Sequence, residues 1–284
     1  MANILLKKAG IMTSLQDDGR TGFAALGVPQ SGPMDSDSFY LANHLIRRAG
    51  DSACLEIYMG GIEMVFNADC QVVFTGAVGE IICQEKAISG NQIISIPKGA
   101  KVTMKPPARG QWAYMAINGQ FATEKILHSQ SFYPGITEKG KFSNNEKIEF
   151  HPGKETIPRN KAKIKTPVFP EIQSIEAYRG TSFALLQKNQ QQSLSQDTFT
   201  ISQTQNRMGI QLEERMNNDF NELISCPVYP GTVQLTPSGK LLVLMKDAQV
   251  TGGYHRILQI KKSSLSKLAQ VRPSGKIRFK LISD

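Results

Sequence analysis

Short apolar or alternating runs recur along the whole chain and limit the fold more than any other feature. They lie at residues 62–66, 71–74, 92–96, 101–104 and 112–117 in the first half, and at 241–245 and 257–260 in the second. Gly, Pro, Asn or Asp residues bound the runs of the first half. Runs of this length and spacing are typical of antiparallel strands in barrels and sandwiches. The sequence therefore predicts a mainly β protein with few helices.

Two short helices interrupt this pattern. The first is predicted to start at a cap formed by Asp35 or Ser36 and to run through Arg48, with Gly50 just beyond it. A shorter helix is predicted after Ser263. The residues expected on the buried stripes are Phe39, Ala42, Leu45 and Ile46 in the first helix, and Leu265, Leu268 and Ala269 in the second.

A proline-rich, basic stretch at residues 151–170 divides the chain. It holds four prolines and little apolar periodicity, which is the composition of a linker or a long surface connection. We therefore predict an N-terminal domain at 1–155, a linker at 156–170 and a C-terminal domain at 171–284. The overall apolar fraction of 40% and charged fraction of 20% are those of packed domains.

Cysteine and histidine usage points to a reducing compartment and to no metal site. The four cysteines form no CxxC pair, and the four histidines form no HxxxH or HExxH motif. No signal peptide is visible, and no apolar run approaches the ~20 residues of a membrane span. The expectation is a cytoplasmic protein without a membrane partner.

The formal charge of +9 raises the question of nucleic-acid binding. Basic residues cluster at Arg159, Lys161, Lys163 and Lys165, and again along residues 256–280, but no nucleic-acid motif and few aromatic residues accompany them. We expect no nucleic-acid partner. A solvated basic face, or attraction for small anions or an acidic partner, explains the charge better.

Self-contained nucleotide and biotin motifs are absent from the sequence. There is no GxxxxGK[ST], no GxGxxG and no GxSxG. The pair Met245-Lys246 lacks the second methionine of a biotin attachment site, so no covalent biotin is expected on this chain. Any nucleotide handling would need an unfamiliar site or another polypeptide.

The first polar cluster is TSLQDDGRTG, residues 13–22. It groups Gln16, Asp17, Asp18 and Arg20 among glycines, a set of side chains that suits a polar ligand held by charge-assisted hydrogen bonds. The alternative is a solvated turn with a local Asp–Arg pair.

The second polar cluster is GVPQSGPMDSDS, residues 27–38. Pro29 and Pro33 stiffen a loop that carries Ser31 and Asp35 into a helix start, where backbone amides attract anions. The alternative is simple capping by Asp35 or Ser36. No histidine lies near Ser31 in sequence, so no activated nucleophile is predicted there.

The third polar cluster is DAQVTGGY, residues 247–254, taken together with NRMG at residues 206–209 and VQLTP at residues 233–237. A β-turn with positive φ at Gly252 and Gly253 would explain the glycines but leave the polar residues unexplained. The spacing D-x-x-x-T-G, with an aromatic residue shortly after it, also occurs from Asp17. On local sequence alone, a turn and a site loop both stay open for this stretch.

Taken together, the motifs TSLQDDGR, GVPQSGPMD, LANHLI, LEIYMGG, NRMGIQL, PGTVQLTPSGKLLVLMKDAQVTGGY and LAQVRP resemble the family of 5-oxoprolinase C subunits, from residue 9 to residue 279. That family is also described as biotin-dependent carboxyltransferase-type or allophanate hydrolase subunit 2-like, and it includes the antagonist of the kinase inhibitor Kip. The resemblance implies tandem β-barrel domains of cyclophilin-like type. It also implies ATP-dependent opening of 5-oxo-L-proline to L-glutamate together with two partners, the Kip inhibitor-like B subunit and the A subunit of 5-oxoprolinase, with ATP and Mg shared with or bound by a partner.

The family motifs also imply site residues, and together with the echo at Asp17 they make residues 247–254 a predicted site loop that faces a ligand or a partner. The candidate catalytic residues are Asp17, Arg20 and Asp247, and the candidate substrate-binding residues are Gln16, Ser31, Asp35, Asn43, Glu56, Arg207, Gln234, Gln249, Thr251 and Tyr254. By their chemistry, the arginines are candidate anion clamps, the aspartates candidate acid/base or metal-phosphate groups, and the glutamines candidate donors to a small amide.

Two departures from the family pattern and two other functions stay open at this stage. Gln130 replaces the arginine of a Gly-Ser-Arg-Ser-Thr run that many relatives carry, and Thr181 replaces the proline of a Gly-Pro pair. One alternative function is a carboxyltransferase module that moves CO₂ from carboxybiotin to urea or another small acceptor. The other is a regulator that binds its partner protein without chemistry.

Overall fold

The computed structural model describes residues 1–158, 164 and 167–283. The chain forms two compact units: Met1–Arg20 with Ser31–Val168 (unit 1), and Thr21–Gln30 with Phe169–Asp284 (unit 2). A ten-residue segment that interrupts unit 1 in sequence therefore belongs to unit 2. Part of the predicted linker at 156–170, including Arg159, Lys161, Lys163 and Lys165, lies outside the described residues.

Unit 1 consists of one helix and short strands in its described residues. The helix is α1 (Ser36–Leu45). The strands are β1 (Ala2–Ala9), β2 (Met12–Gln16), β3 (Cys54–Tyr58), β4 (Ile62–Phe66), β5 (Cys70–Gly76), β6 (Ile81–Cys83), β7 (Lys86–Ile88), β8 (Ile94–Ile96), β9 (Lys101–Met104), β10 (Trp112–Ile117), β11 (Gly119–Phe121) and β12 (Glu146–Pro152).

The strands of unit 1 form two sheets around one core. The strand order is β11-β12-β1-β4-β9-β6-β7 in the first sheet and β2-β3-β10-β5-β8 in the second. In β4 the alternate residues Ile62, Met64 and Phe66 are fully buried in a core shared by both sheets, because successive side chains of a strand point to opposite faces. Strand β10 is buried on both faces, since α1 covers its outer side and brings the ring of Phe39 edge-on to Tyr114.

Unit 2 contains a closed barrel. Its strands are β13 (Ile172–Arg179), β14 (Phe199–Gln205), β15 (Gly209–Arg215), β16 (Cys226–Pro227), β17 (Thr232–Leu235), β18 (Lys240–Leu244), β19 (Thr251–Gly252), β20 (His255–Ile260) and β21 (Lys276–Leu281), and its helices are α2 (Lys188–Gln196) and α3 (Lys262–Ala269). The barrel order is β13-β20-β17-β18-β15-β14-β21, and β16 pairs with β19 in a separate two-stranded ribbon. Strand β19 of this ribbon lies in the predicted site loop.

The mainly β prediction is confirmed, with a closed barrel in unit 2 and two sheets around one core in unit 1. Both predicted helices exist. Helix α1 begins after the Asp35 cap as expected but ends at Leu45 instead of Arg48, and Arg47 already has a φ of 55°. Helix α2 was not predicted, because its sequence KNQQQSLSQ buries only Leu194 and carries no apolar stripe. No helix in the described ranges is long and apolar enough to cross a membrane.

Candidate functional site

The Asp17 carboxylate is the centre of a buried hydrogen-bond network in unit 1. Its Oδ1 accepts from Ser129 Oγ at 2.5 Å, Ser131 Oγ at 2.6 Å and the Gly19 amide at 3.0 Å, and its Oδ2 accepts from the Gln130 amide at 2.6 Å. Asp17 is 7% exposed. Because three of its four donors come from residues 129–131, the Asp17 carboxylate holds this segment in place.

The neighbours of Asp17 are buried as well. Arg20 is 1% exposed and donates through Nη2 to the Ser131 carbonyl, while Gln16 Nε2 donates to Ser14 Oγ at 3.0 Å. Gln16 and Arg20 therefore lie inside the fold together with Asp17. The alternative of a solvated turn with a weak surface pair is wrong for these three residues, whereas Asp18 is exposed.

The second cluster meets the first within unit 1. Gly32 has a φ of +90°, and a Cβ built on it would lie 3.2 Å from the Asp18 carbonyl, so the two backbones touch there. Ser31 is 2% exposed with a φ of 61°, an unusual conformation for a residue with a side chain. No local sequence pattern indicated that these two loops are adjacent.

A buried carboxyl–phenol pair supports the loop that leads into α1. Glu56 Oε2 accepts from the Met34 amide at 2.8 Å and from the Tyr114 hydroxyl at 2.7 Å, and that hydroxyl accepts from the Asp35 amide at 2.7 Å. Burial, with the nearby Glu56 carboxylate, raises the pKa of Tyr114 well above its usual value. The phenol therefore stays protonated and keeps donating to Glu56.

Two further predicted site residues have structural contacts. The Asp35 side chain accepts from the Ser38 amide at 3.1 Å and from Ser38 Oγ at 2.6 Å, which makes it the cap of α1. Asn43 donates to the carbonyls of Ser52 at 2.8 Å and Gly50 at 3.2 Å, closing the turn after the helix. These contacts assign both residues a part in building the loops, and their binding role stays a prediction.

Sequence reasoning missed Ser129 and Ser131 as site residues. A turn with positive φ at Leu127 (52°) and His128 (64°) presents both serines to Asp17. Gln130, which departs from the family pattern, donates through Nε2 to the Thr123 carbonyl at 2.7 Å, so its side chain fastens the turn to its own unit. The only sequence signal was the Ser-x-Ser spacing.

In unit 2, Arg207 and Asp247 form a buried bidentate ion pair. Arg207 Nε lies 2.7 Å from Asp247 Oδ2, and Nη2 lies 2.8 Å from Oδ1. Their side chains are 8% and 7% exposed, and the Asp247 amide also donates to the Arg207 carbonyl at 2.8 Å. The pair joins the β14–β15 turn to the loop after β18. Two parallel hydrogen bonds from the planar guanidinium to the carboxylate fix the relative orientation of the two side chains.

The other predicted residues of unit 2 lie around the β16–β19 ribbon. Gln249 and Thr251 are exposed, and Tyr254 is half-buried. Gln234 is 1% exposed on β17, and Gly252 lies directly against its side-chain amide. The ribbon is also joined by hydrogen bonds from the Val228 amide to the Val250 carbonyl and from the Leu223 amide to the Gly253 carbonyl.

The β-turn interpretation of Gly252 and Gly253 is wrong. Neither has a positive φ, and Gly252 pairs with Cys226 in the ribbon. A Cβ on Gly252 would lie 2.5 Å from Gln234 Nε2, and one on Gly253 would lie 3.0 Å from the Leu223 carbonyl oxygen. Close packing therefore explains the glycines, because only a residue without a side chain leaves room there.

Gly252→Ala is expected to destabilise the protein by about 1–3 kcal/mol, because the new methyl group overlaps the buried Gln234 amide. Urea unfolding followed by circular dichroism measures the change. Adding Gln234→Ala should recover part of the loss by making room for the methyl group, whereas Gly99→Ala, where nothing lies near the new atom, reports only the cost of a positive φ. No recovery in the double variant would contradict the steric explanation.

The D-x-x-x-T-G echo does not correspond to similar environments. Asp17 is held by serine hydroxyls and amides in unit 1, whereas Asp247 is held by a guanidinium in unit 2. Among the described residues, no group of three or more His, Cys, Asp or Glu side chains is arranged to hold a metal ion. The metal-phosphate role of the two aspartates stays a prediction.

Comparison with known families decides the classification. Residues 26–281 match the family described as carboxyltransferase domain, subdomain A and B. The chain belongs to this family. Within the carboxyltransferase-domain family, the match begins after Gln16, Asp17 and Arg20 and includes the Arg207–Asp247 pair.

Individual relatives of this carboxyltransferase-domain chain carry two kinds of name. It is 28% identical to the C subunit of 5-oxoprolinase from Escherichia coli over 96% of its length and 89% of that protein, and 26% identical to the Haemophilus influenzae protein of the same name over 95% and 88%. It is 30% identical to urea amidolyase of Lachancea kluyveri over 125 residues, 44% of this chain and 7% of that protein.

Solved structures share the fold. TTHA0988 superposes with a TM-score of 0.88 and 25% identity over 99% of this chain, which spans only 56% of the TTHA0988 chain. The K. lactis urea amidolyase superposes with a TM-score of 0.89 at 21% identity, over 99% of this chain and 19% of that one. The second similarity supports the fold alone.

Proposed function

We propose that this chain is the C subunit of an ATP-dependent 5-oxoprolinase, which opens 5-oxo-L-proline to L-glutamate together with an A subunit and a Kip inhibitor-like B subunit. The observation that carries the proposal is the similarity to two proteins named as the C subunit of 5-oxoprolinase. Each alignment covers nearly the full length of this chain and most of the relative. The urea amidolyase match covers less than half of this chain. The four cysteines are free thiols, which is consistent with a protein that functions in the reducing cytoplasm.

A lactam is a poor electrophile, so its opening benefits from groups that hold the ring and stabilise developing negative charge. In this chain the Arg207–Asp247 pair supplies a fixed, oriented charge pair at the base of the site loop, and Gln249 and Thr251 supply exposed polar groups beside it. ATP supplies the driving force for ring opening when bound. We assign ATP and Mg to a partner, or to a site shared with one, because the sequence carries no self-contained nucleotide motif.

The proposal is tested by reconstituting the chain with A and B subunits of 5-oxoprolinase and measuring glutamate release from 5-oxo-L-proline and ATP. We expect release to need all three proteins. The double variant Arg207→Met with Asp247→Leu, which leaves no unpaired buried charge, should assemble but lose at least ~10-fold in rate, because the site loop loses its anchor. The exposed Arg215→Met variant is the matched control. Full activity without this chain would refute the proposal.

The family description favours one other function, transfer of a carboxyl group from carboxybiotin to a small amide. This function needs a biotin carboxylase and a biotinylated carrier, for which the sequence has no motif. Adding both proteins with bicarbonate, ATP and urea, and measuring carboxylated product, separates the two. Product formation that depends on this chain would favour carboxyl transfer over lactam opening.

A further inference from the structure

Two buried nitrogen donors of unit 2 have no acceptor among the described residues. They are Gln234 Nε2 and Arg256 Nε, and both atoms are inaccessible to solvent. Buried donors are almost always hydrogen-bonded, because an unmade bond leaves the full cost of removing the group from water. Such a pair therefore needs an explanation.

The two residues that carry these donors are neighbours on adjacent strands. Gln234 on β17 and Arg256 on β20 are direct partners across the antiparallel pair, so their side chains emerge on the same face of the barrel, with Cβ atoms about 5 Å apart. His255 Nδ1 is also without a hydrogen-bond partner among the described residues, but His255 is paired with Leu235, on the opposite face, and packs on the Phe220 ring. Of these three residues, Gln234 and Arg256 are the two that share a face of the barrel.

The β16–β19 ribbon covers this pair. Gly252 lies against Gln234 Nε2, and the Pro227 carbonyl accepts from Arg256 Nη1 at 3.3 Å. The ribbon has two residues in each strand, and the apolar cluster beside it is small, consisting of Val228, Leu244 and Ala248. Gly252 leaves no free space at Gln234 Nε2, so a ligand reaches the pair only when the ribbon moves away from the barrel. The ribbon is held by its two paired residues in each strand and by hydrogen bonds to the carbonyls of Val250, Gly253 and Pro227, so moving it costs less than opening the barrel wall, whose strands pair along their length.

Charge selects the ligand class. No carboxylate among the described residues lies within ion-pair distance of Arg256, whereas Arg207 of the same unit has Asp247. A guanidinium beside a primary amide, each with a nitrogen that lacks an acceptor, is complementary to a carboxylate group, which takes one hydrogen bond from each.

We infer that Gln234 and Arg256 form a binding site for a small carboxylic acid beneath the β16–β19 ribbon. The site goes beyond the proposed function, since it requires only a carboxylate. Its use for the carboxylate of 5-oxo-L-proline rests on that function. Gln249 and Thr251 belong to the loop that carries this ribbon and are exposed.

Three probes isolate the carboxylate in calorimetric titrations of the purified chain. Cyclopentanecarboxylate has the carboxylate without the lactam, 2-pyrrolidinone has the lactam without the carboxylate, and 5-oxo-L-proline has both. We expect the two acids to bind. Arg256→Met should weaken binding of both acids at least about 10-fold, and Arg256→Lys, which keeps the charge, should weaken it less.

Gln234→Leu should act in the same direction as Arg256→Met, and it keeps the test decisive if the arginine variant fails to fold, which the unfolding midpoint reports. Arg278→Met, an exposed arginine whose side chain donates to Thr198, is the matched control and should change nothing. Failure of the wild-type chain to bind either acid at about 10 mM, or equal binding by wild type and variants, overturns the inference. The two nitrogens would then be interpreted as donors to water.

The same experiment separates this inference from the proposed function. Loss of cyclopentanecarboxylate binding in Arg256→Met, combined with no glutamate release by the reconstituted assembly, would keep the carboxylate site and remove the 5-oxoprolinase assignment. Glutamate release by the assembly, combined with unchanged acid binding in the variants, would keep the 5-oxoprolinase assignment and remove the carboxylate site.

Discussion

Asp247→Asn is expected to lower the free energy of unfolding by about 3–5 kcal/mol, one of the two largest effects of a single substitution in this protein. The change leaves the Arg207 guanidinium, whose side chain is 8% exposed, without its counter-charge. The cost comes from the unpaired buried charge, and the native pair itself need not be strongly stabilising. Urea unfolding followed by far-ultraviolet circular dichroism measures it, with the exposed Asp219→Asn as a control of nearly zero effect.

A double variant tells whether the ion pair serves stability or function. Arg207→Met with Asp247→Leu removes both charges at once, and most of the lost stability should return, because an apolar pair of similar size carries no desolvation cost. Recovered stability combined with loss of glutamate release would place the ion pair in the functional site. Recovered stability with full activity would show that it only joins two loops, and an unrecovered double variant would contradict the charge argument.

Local features of the fold could be predicted from the sequence because their causes are local. Asp35 caps α1 through the amide of a residue three positions later, and the burial of alternate residues in β4 follows from the strand itself. Helix α2 escaped prediction because only one of its residues is buried. Its formation depends on contacts with the barrel that no period in its sequence reveals.

The candidate site could be predicted only as a set of residues. Asp17 and Asp247 were identified, but three of the four donors to the Asp17 carboxylate lie more than 110 residues away in sequence, and no local pattern joins them to it. The two glycines of the ribbon show the same limit. A Gly-Gly pair favours a turn locally, and only the position of Gln234 on another strand reveals that Gly252 is needed for close packing.

Asp17→Ala is the second substitution expected to have a large effect, a loss of about 3–4 kcal/mol. It removes the common acceptor of the Ser129 and Ser131 hydroxyls and the Gln130 amide, which then remain buried without it. Thermal and urea unfolding measure the loss, and the exposed Asp51→Asn is the control. Asp17→Asn should cost less than Asp17→Ala, because its side-chain oxygen still accepts hydrogen bonds. It should still cost something, because its NH₂ group faces donors on the other side.

The same substitution separates positioning from acid/base chemistry at Asp17. The turn at Leu127 and His128 holds two residues at positive φ, a conformation that persists only while the surrounding contacts enforce it. Without the Asp17 carboxylate the turn should relax, and trypsin should cut after the exposed Lys125 faster in Asp17→Ala than in wild type. Since Asn also accepts hydrogen bonds, Asp17→Asn should keep the slow cleavage and much of the activity. A positioning residue tolerates that exchange, whereas a proton-transfer residue does not. Slow cleavage combined with abolished activity in Asp17→Asn would therefore assign Asp17 to the chemistry and refute the positioning role.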